Sequence, residues 1–210
     1  MNRTDIINYL IGKNNYKSYL EIGLDNPDNN FKKINCELKH SVDPFFEEDH
    51  KNNYDLNPTQ FEHAKQYLTH RMTSDEFFGT TNGTYDIIFI DGLHTQEQVG
   101  RDIINSLRRL NNDGKIVVHD CLPPNEGYQI VPRKQSSWCG DVWKAIAELK
   151  KQNVQFNVVD TDFGVGVIDY FENLEDLKYI EKSTLTWDDF VSKRNDLLNV
   201  ISCNKFKELY

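Results

Sequence analysis

Two short segments hold residue types able to move a proton or bind a cation: "IDGLH", with Asp91 and His94 three residues apart, and "VVHDC", with His119 and Asp120 adjacent. A carboxylate and an imidazole can exchange a proton near neutral pH, because an unperturbed histidine titrates at about 6.5. The same groups can bind a divalent ion, the carboxylates favouring Mg²⁺ or Mn²⁺ and the imidazoles a softer metal. A third segment, "EIGLDNPDNN", brings Glu21 and Gly23 together, and Asp43 follows Gly23 by 20 residues. At that spacing an acidic side chain accepts hydrogen bonds from the ribose of an adenosine-type ligand, although an Asp before Pro44 also suits a turn. No further glycine occurs until Gly79, so the G-x-G-x-x-G pattern for a pyrophosphate is absent. A nucleoside ligand without phosphate does not need that pattern.

These groups meet only if they end neighbouring parallel strands, since open α/β sheets bind ligands beyond the carboxyl ends of their strands. "SYLEIG" reads as the first strand and "KHSVDP" as the second, ended by Pro44. "YDIIFID", residues 85–91, is apolar almost throughout, as a strand buried on both faces requires, and "KIVVHD" is similar. Counted as the fourth and fifth strands, they deliver Asp91, His94, His119 and Asp120 to one edge. "VQFNVVD" and "FGVGVIDY" are too close for a helical crossover and must pair antiparallel.

Helices are expected between the strands. The first has Thr4 as its N-cap and runs to about Lys13, and a weak one covers "NNFKKINCEL". Thr73 with Glu76, Thr95 with Gln98 and Thr186 with Asp189 have capping spacing. Behind Thr95, Val99, Ile103, Leu107 and Leu110 fall on one helical face, closed by "NNDG". Another helix begins near Asp141, with Val142, Ala145, Ile146 and Leu149 facing a core. Residues 44–71 read as an irregular excursion or a helix around "PTQFEHAKQYL", and 121–138 as a structured loop.

Composition limits the alternatives. At 210 residues, 38% hydrophobic and 27% charged, the chain suits one domain spanning residues 1–210. A net charge of −9 argues against nucleic-acid binding, which needs clustered Lys and Arg. Cys36, Cys121, Cys139 and Cys203 form no C-x-x-C pair and read as reduced thiols. The N-terminal apolar stretch is too short and Asn-interrupted for a signal peptide, and no run reaches the length of a membrane span. "NGT" at 82–84 reads as a turn rather than a glycosylation site. A cytoplasmic protein is expected, without membrane insertion; a homo-oligomer is compatible with the sequence.

Alternating strands and helices with a late antiparallel strand imply a Rossmann-like α/β fold. The expected sheet is seven-stranded and mostly parallel, with helices on both faces and a C-terminal antiparallel hairpin. Here "YLEIG", "SVDP", "MTSDEFF", "YDIIFIDGLHTQEQVGRDI", "GKIVVHDCLPP" and "GDVWKAI" together resemble the class I methyltransferases, in the family that includes macrolide-sugar and related natural-product O-methyltransferases. The resemblance covers most of residues 15–170 and is more specific in its second half.

That resemblance implies S-adenosylmethionine as cofactor, its methionine part near Glu21 and Gly23, its ribose on Asp43 and its adenine near Met72, Thr73, Ser74 and Asp75. It implies Asp91 as a metal ligand and His94 as the base. Relatives have two adjacent acids where this chain has His119 and Asp120, so Asp91, His119 and Asp120 form the candidate set for Mg²⁺ or another divalent metal. The acceptor implied is a small molecule, a sugar or nucleotide-linked sugar. Tyr128, Arg133, Lys134 and Trp138 of the 121–138 loop offer stacking faces and charge to bind it. Two other readings are a non-catalytic S-adenosylmethionine-binding scaffold and a metal-dependent hydrolase built on Asp91, His94, His119 and Asp120.

Overall fold

In a computed structural model, residues 1–44 and 58–210 are described. The strands are β1 (Ser18–Ile22), β2 (Leu38–Val42), β3 (Tyr85–Ile90), β4 (Leu110–Val118), β5 (Phe156–Val159), β6 (Val165–Asp169) and β7 (Val200–Ile201). They form one sheet in the order β2-β1-β3-β4-β6-β5-β7. β2, β1, β3 and β4 are parallel neighbours, whereas β6 runs antiparallel to both β4 and β5. β7 adds a short parallel edge beside β5. The fold is therefore the expected Rossmann-like one, seven-stranded and mostly parallel.

Its strand numbering differs from expectation. The segments carrying Asp91 and His119 follow the third and fourth strands of the chain, and among the described residues no strand lies between β2 and β3. Val42 instead makes a single parallel bridge to His70 on the outer side of β2. The seventh strand comes from the C-terminus: its two residues are too few to show a period-2 pattern.

Side chains alternate across the central strands, so the sheet feeds two apolar layers. Leu20, Ile22, Ile88, Ile90, Ile116 and Val118 face one layer with Ile168. Tyr19, Ile87, Phe89 and Val117 face the other with Val167. The first layer is covered by α4 (Gln96–Leu107), α6 (Val142–Leu149) and α7 (Trp187–Leu198), through Val99, Ile103, Ile146, Trp143 and Phe190. Trp143 is fully buried, and truncating such a residue to Ala costs about 3–5 kcal/mol. The second layer is covered by α1 (Arg3–Asn14) and α8 (Cys203–Leu209), with Ile6, Ile7, Leu10 and Phe206 at 0% exposure.

Local chemistry sets the helix starts. Thr73 caps α3 (Ser74–Thr80) and Thr186 caps α7, each with its backbone amide donating in return to the carboxylate of Glu76 or Asp189. Thr95 caps α4 by accepting from the Gln98 amide. At the N-terminus the cap is Asn2 rather than Thr4: Asn2 and Asp5 form the reciprocal box, and Thr4 lies inside the first turn with its hydroxyl bonded to Asn30.

Other expectations are corrected. "NNFKKINCEL" holds only a 3₁₀ turn, Phe31–Lys33. "NNDG" does not end α4, because Leu110 already pairs with Tyr85, and the ladder resumes at Ile87 with Lys115 after a bulge. Leu110 thus belongs to β4. Of the 44–71 excursion, α2 (Pro58–Lys65) matches the helical alternative, and residues 45–57 lie outside the described residues. The 121–138 loop contains one short helix, α5 (Glu126–Gln129). All four cysteines are free, and among the described residues no helix is long and apolar enough to cross a membrane.

Candidate active site

The connections from β1 to β2 and from β3 to β4 leave in opposite directions across the sheet, which opens a crevice at the carboxyl ends of β1 and β3. A cavity of about 680 Å³ occupies it. Its walls include Glu21 and Gly23 after β1, Asp43 after β2, Thr73 and Ser74 at the start of α3, Asp91 and His94 after β3, and Arg133 and Trp138 from the loop. Met72, Asp75, His119, Asp120 and Tyr128 do not line it. Met72 packs against the apolar layer, Asp75 pairs with Arg101 at 3.3 Å, and Tyr128 stacks on Phe163 at 6.0 Å between ring centres.

The turn after β1 is built for close approach. Gly23 has φ +87°, and a Cβ there would lie 2.2 Å from the Asp91 carbonyl oxygen. The next amides are fixed by Asp43, whose Oδ2 accepts from Leu24 N at 2.9 Å and Asp25 N at 3.4 Å. Asp43 therefore joins the ends of β1 and β2 while facing the cavity. Below it Glu21 is buried, with Oε2 accepting from the Tyr19 hydroxyl and from Asn30 Nδ2 at 2.9 Å. Burial pushes the Glu21 carboxyl up to about 8 against the pull of those two hydrogen bonds.

Asp91, His94, His119 and Asp120 do converge. His94 Nε2 lies 3.4 Å from Asp91 Oδ1, and its Nδ1 lies 3.2 Å from Asp120 Oδ2. Nδ1 also meets the Trp138 carbonyl oxygen at 3.0 Å. A carbonyl only accepts, so Nδ1 carries the proton and Nε2 is the basic nitrogen of the neutral ring. Burial disfavours the charged ring, yet Asp91 and Asp120 together hold His94 above the ordinary imidazole value.

His119 lies deeper. Its Nδ1 is 3.3 Å from Asp91 Oδ1 and 3.5 Å from Asp120 Oδ2, and Nε2 is 3.6 Å from Asp162 Oδ2. Three carboxylates outweigh burial and hold it well above its usual value. Burial opposes ionisation of Asp91, but the facing His119 and His94 hold its carboxyl far below the usual range.

Two members of this network come from parts of the chain that local patterns do not connect to it. Asp162, in the β5–β6 turn with φ 48°, accepts from Arg3 N at 2.9 Å and Arg3 Nη1 at 3.1 Å. Arg3 Nη1 also meets His119 Nε2 at 3.2 Å, and Arg3 lines the cavity. Asn30 and Gln98 also line the cavity; sequence reasoning singles out Gln98 only as a capping partner of Thr95, and Asn30 not at all. The available signals are the "DTDF" turn and a basic residue beside the true N-cap. Neither specifies a partner on its own.

The donor set bears on metal binding. One ligand atom each from Asp91, His94 and Asp120 lies within 4.8 Å of the others. Two carboxylates and an imidazole are hard-to-borderline donors that fit Mg²⁺, Mn²⁺ or a softer divalent ion.

Comparisons with known proteins agree with this architecture. Residues 26–121 match the model of a methyltransferase domain. A search of curated proteins finds no match. Among solved structures, a Staphylococcus aureus protein assigned as a caffeoyl-CoA O-methyltransferase is 20% identical, with a TM-score of 0.56 over 80% of this chain and 82% of that one. The Bacillus cereus O-methyltransferase in complex with S-adenosylhomocysteine is 14% identical, with a TM-score of 0.54 over 81% of this chain and 82% of that one. TomG from Streptomyces achromogenes, an O-methyltransferase of tomaymycin synthesis in complex with S-adenosylmethionine, is 11% identical, with a TM-score of 0.54 over 81% and 80%. The chain thus has the fold of the class I methyltransferases, and its methyltransferase-domain match includes Asp43, Thr73, Ser74, Asp91 and His94 of the cavity wall.

Proposed function

We propose that the protein is an S-adenosylmethionine-dependent O-methyltransferase that acts on a hydroxyl of a sugar or glycan precursor, with His94 as the base. The observation that carries the reading is the position of His94. It follows the third strand beside a cavity walled by the β1 turn and Asp43, with its proton directed to Nδ1 by the Trp138 carbonyl. Methyl transfer from a sulfonium is an in-line displacement, so the protein must align acceptor oxygen, methyl carbon and sulfur and remove the hydroxyl proton.

In this reading Asp43 receives the ribose, Gly23 lets the methionine part pass over the β1 turn, and Thr73 and Ser74 flank the adenine. His94 Nε2 accepts the hydroxyl proton, and Asp91 and Asp120 stabilise the imidazolium that results. The Trp138 ring stacks on His94 at 5.5 Å, covering one face of the base. The 121–138 loop forms the acceptor wall, with Arg133 suited to a phosphate-bearing sugar.

A divalent cation held by Asp91 and Asp120 would lower the pKa of a bound hydroxyl as a Lewis acid, and His119 could join as third ligand only after losing the proton that its carboxylate neighbours stabilise. His94 Nε2 cannot bind a metal and accept a proton at once, so the base role assigns it to the acceptor. The test is Asp43→Asn and His94→Ala assayed side by side. The first should weaken the cofactor complex, and the second should stop turnover with the cofactor complex intact. Unchanged turnover in His94→Ala sinks the base assignment.

A further inference from the structure

The cavity is lined by four acids, Glu21, Asp25, Asp43 and Asp91, and by two arginines, Arg3 and Arg133. S-adenosylmethionine carries one anionic group, the methionine carboxylate. Placing that group among carboxylates is unfavourable unless a cation meets it, and a guanidinium does so best because its fork matches the two oxygens. Arg133 belongs to the outer loop, where its guanidinium donates to the carbonyls of Gln135 and Ser136. Arg3 lies on the inner wall.

Three features hold Arg3 at the methionine end. The Asn2–Asp5 capping box sets the first turn of α1, and Asp162 receives both the Arg3 amide and Nη1. The neighbouring Thr4 donates to Asn30 Oδ1 at 2.8 Å, and Asn30 donates to Glu21 Oε2, so α1 is tied through Asn30 to the end of β1. The third feature is an unmet donor. Arg3 Nε is buried and has no hydrogen-bond partner, and its nearest ion-pair contact is Asp91 Oδ2 at 3.9 Å. A buried guanidinium nitrogen without a partner is costly, and the part of the Arg3 side chain that lines the cavity places its positive charge where a ligand carboxylate can meet it.

We propose that Arg3 binds the methionine carboxylate of S-adenosylmethionine, with Asp162 holding the guanidinium in place. This assignment rests on the cofactor reading above and adds a residue outside the 26–121 domain match. It makes α1 part of the cofactor site as well as a cover for the sheet.

The test is calorimetric titration of the full chain and of Arg3→Gln and Arg3→Lys with two ligands. S-adenosylhomocysteine keeps the carboxylate, whereas 5′-methylthioadenosine keeps adenosine and sulfur but lacks the amino-acid part. Arg3→Gln should weaken S-adenosylhomocysteine by about tenfold or more and change methylthioadenosine less than about twofold, with Arg3→Lys in between. Equal S-adenosylhomocysteine affinity in wild type and Arg3→Gln overturns the assignment, as does equal weakening of both ligands in both variants. Failure of the wild type to bind either ligand overturns the cofactor reading itself, and this assignment with it.

Discussion

His94 donates from Nδ1 to the Trp138 carbonyl at 3.0 Å, while the two rings stack at 5.5 Å, so one loop residue sets both the tautomer and one face of the imidazole. Removing a general base typically costs about 10²–10⁴ in rate. His94→Ala should lose turnover by that order and bind S-adenosylhomocysteine within about twofold of wild type. Parallel loss of binding and turnover would instead mark His94 as structural.

Gly23 and the Asp91 carbonyl approach too closely for any side chain. Gly23→Ala must move the β1 turn or the end of β3, because its Cβ would lie 2.2 Å from that oxygen at a φ of +87°. A cost of about 1–3 kcal/mol is expected from the backbone alone. Thermal melting should show the loss, and cofactor affinity should fall with it. A variant with wild-type melting and affinity would contradict the geometry.

Glu21 makes stability depend on pH. Its folded value, raised to about 8 from an ordinary 4.5, means that the native state holds a proton the unfolded chain releases. The protonated form favours folding fully below about 4.5, and that contribution disappears as pH rises towards 8. Glu21→Gln removes the ionisation, so its stability relative to wild type should increase across this window by a few kcal/mol at most. Denaturant melts at pH 5 and pH 8 measure the difference; parallel behaviour of the two proteins would contradict it.

Where local chemistry suffices, the structure follows the sequence. The Thr73–Glu76 and Thr186–Asp189 boxes and the apolar run of β3 need only neighbours within a few residues, and they are observed as expected. The convergence of Asp91, His94, His119 and Asp120 follows from strand adjacency, which alternation makes legible. Arg3 and Asp162 are 159 residues apart and meet only because α1 packs under the β5–β6 turn. No local periodicity records such a contact. The N-cap is Asn2 rather than Thr4 because Thr4 has a better partner in Asn30, again a tertiary bond. "NNDG" misleads because a bulge places turn residues inside a strand.

Metal assistance has its own test. If Asp91 and Asp120 hold a divalent ion in the working enzyme, EDTA should lower turnover by at least about tenfold, and Mg²⁺ or Mn²⁺ should restore it. Asp120→Asn should then need more metal to reach the same rate. Full activity after exhaustive chelation would leave these carboxylates with only the imidazolium-stabilising role.

The most direct test of the central claim is calorimetric titration of S-adenosylmethionine into the wild-type protein and Asp43→Asn. The carboxamide introduced by this substitution could still cap the Leu24 amide through its oxygen while offering the ribose a poorer acceptor. One-site binding in the wild type, weakened about tenfold in the variant, is predicted. The absence of binding to the wild type would contradict the account.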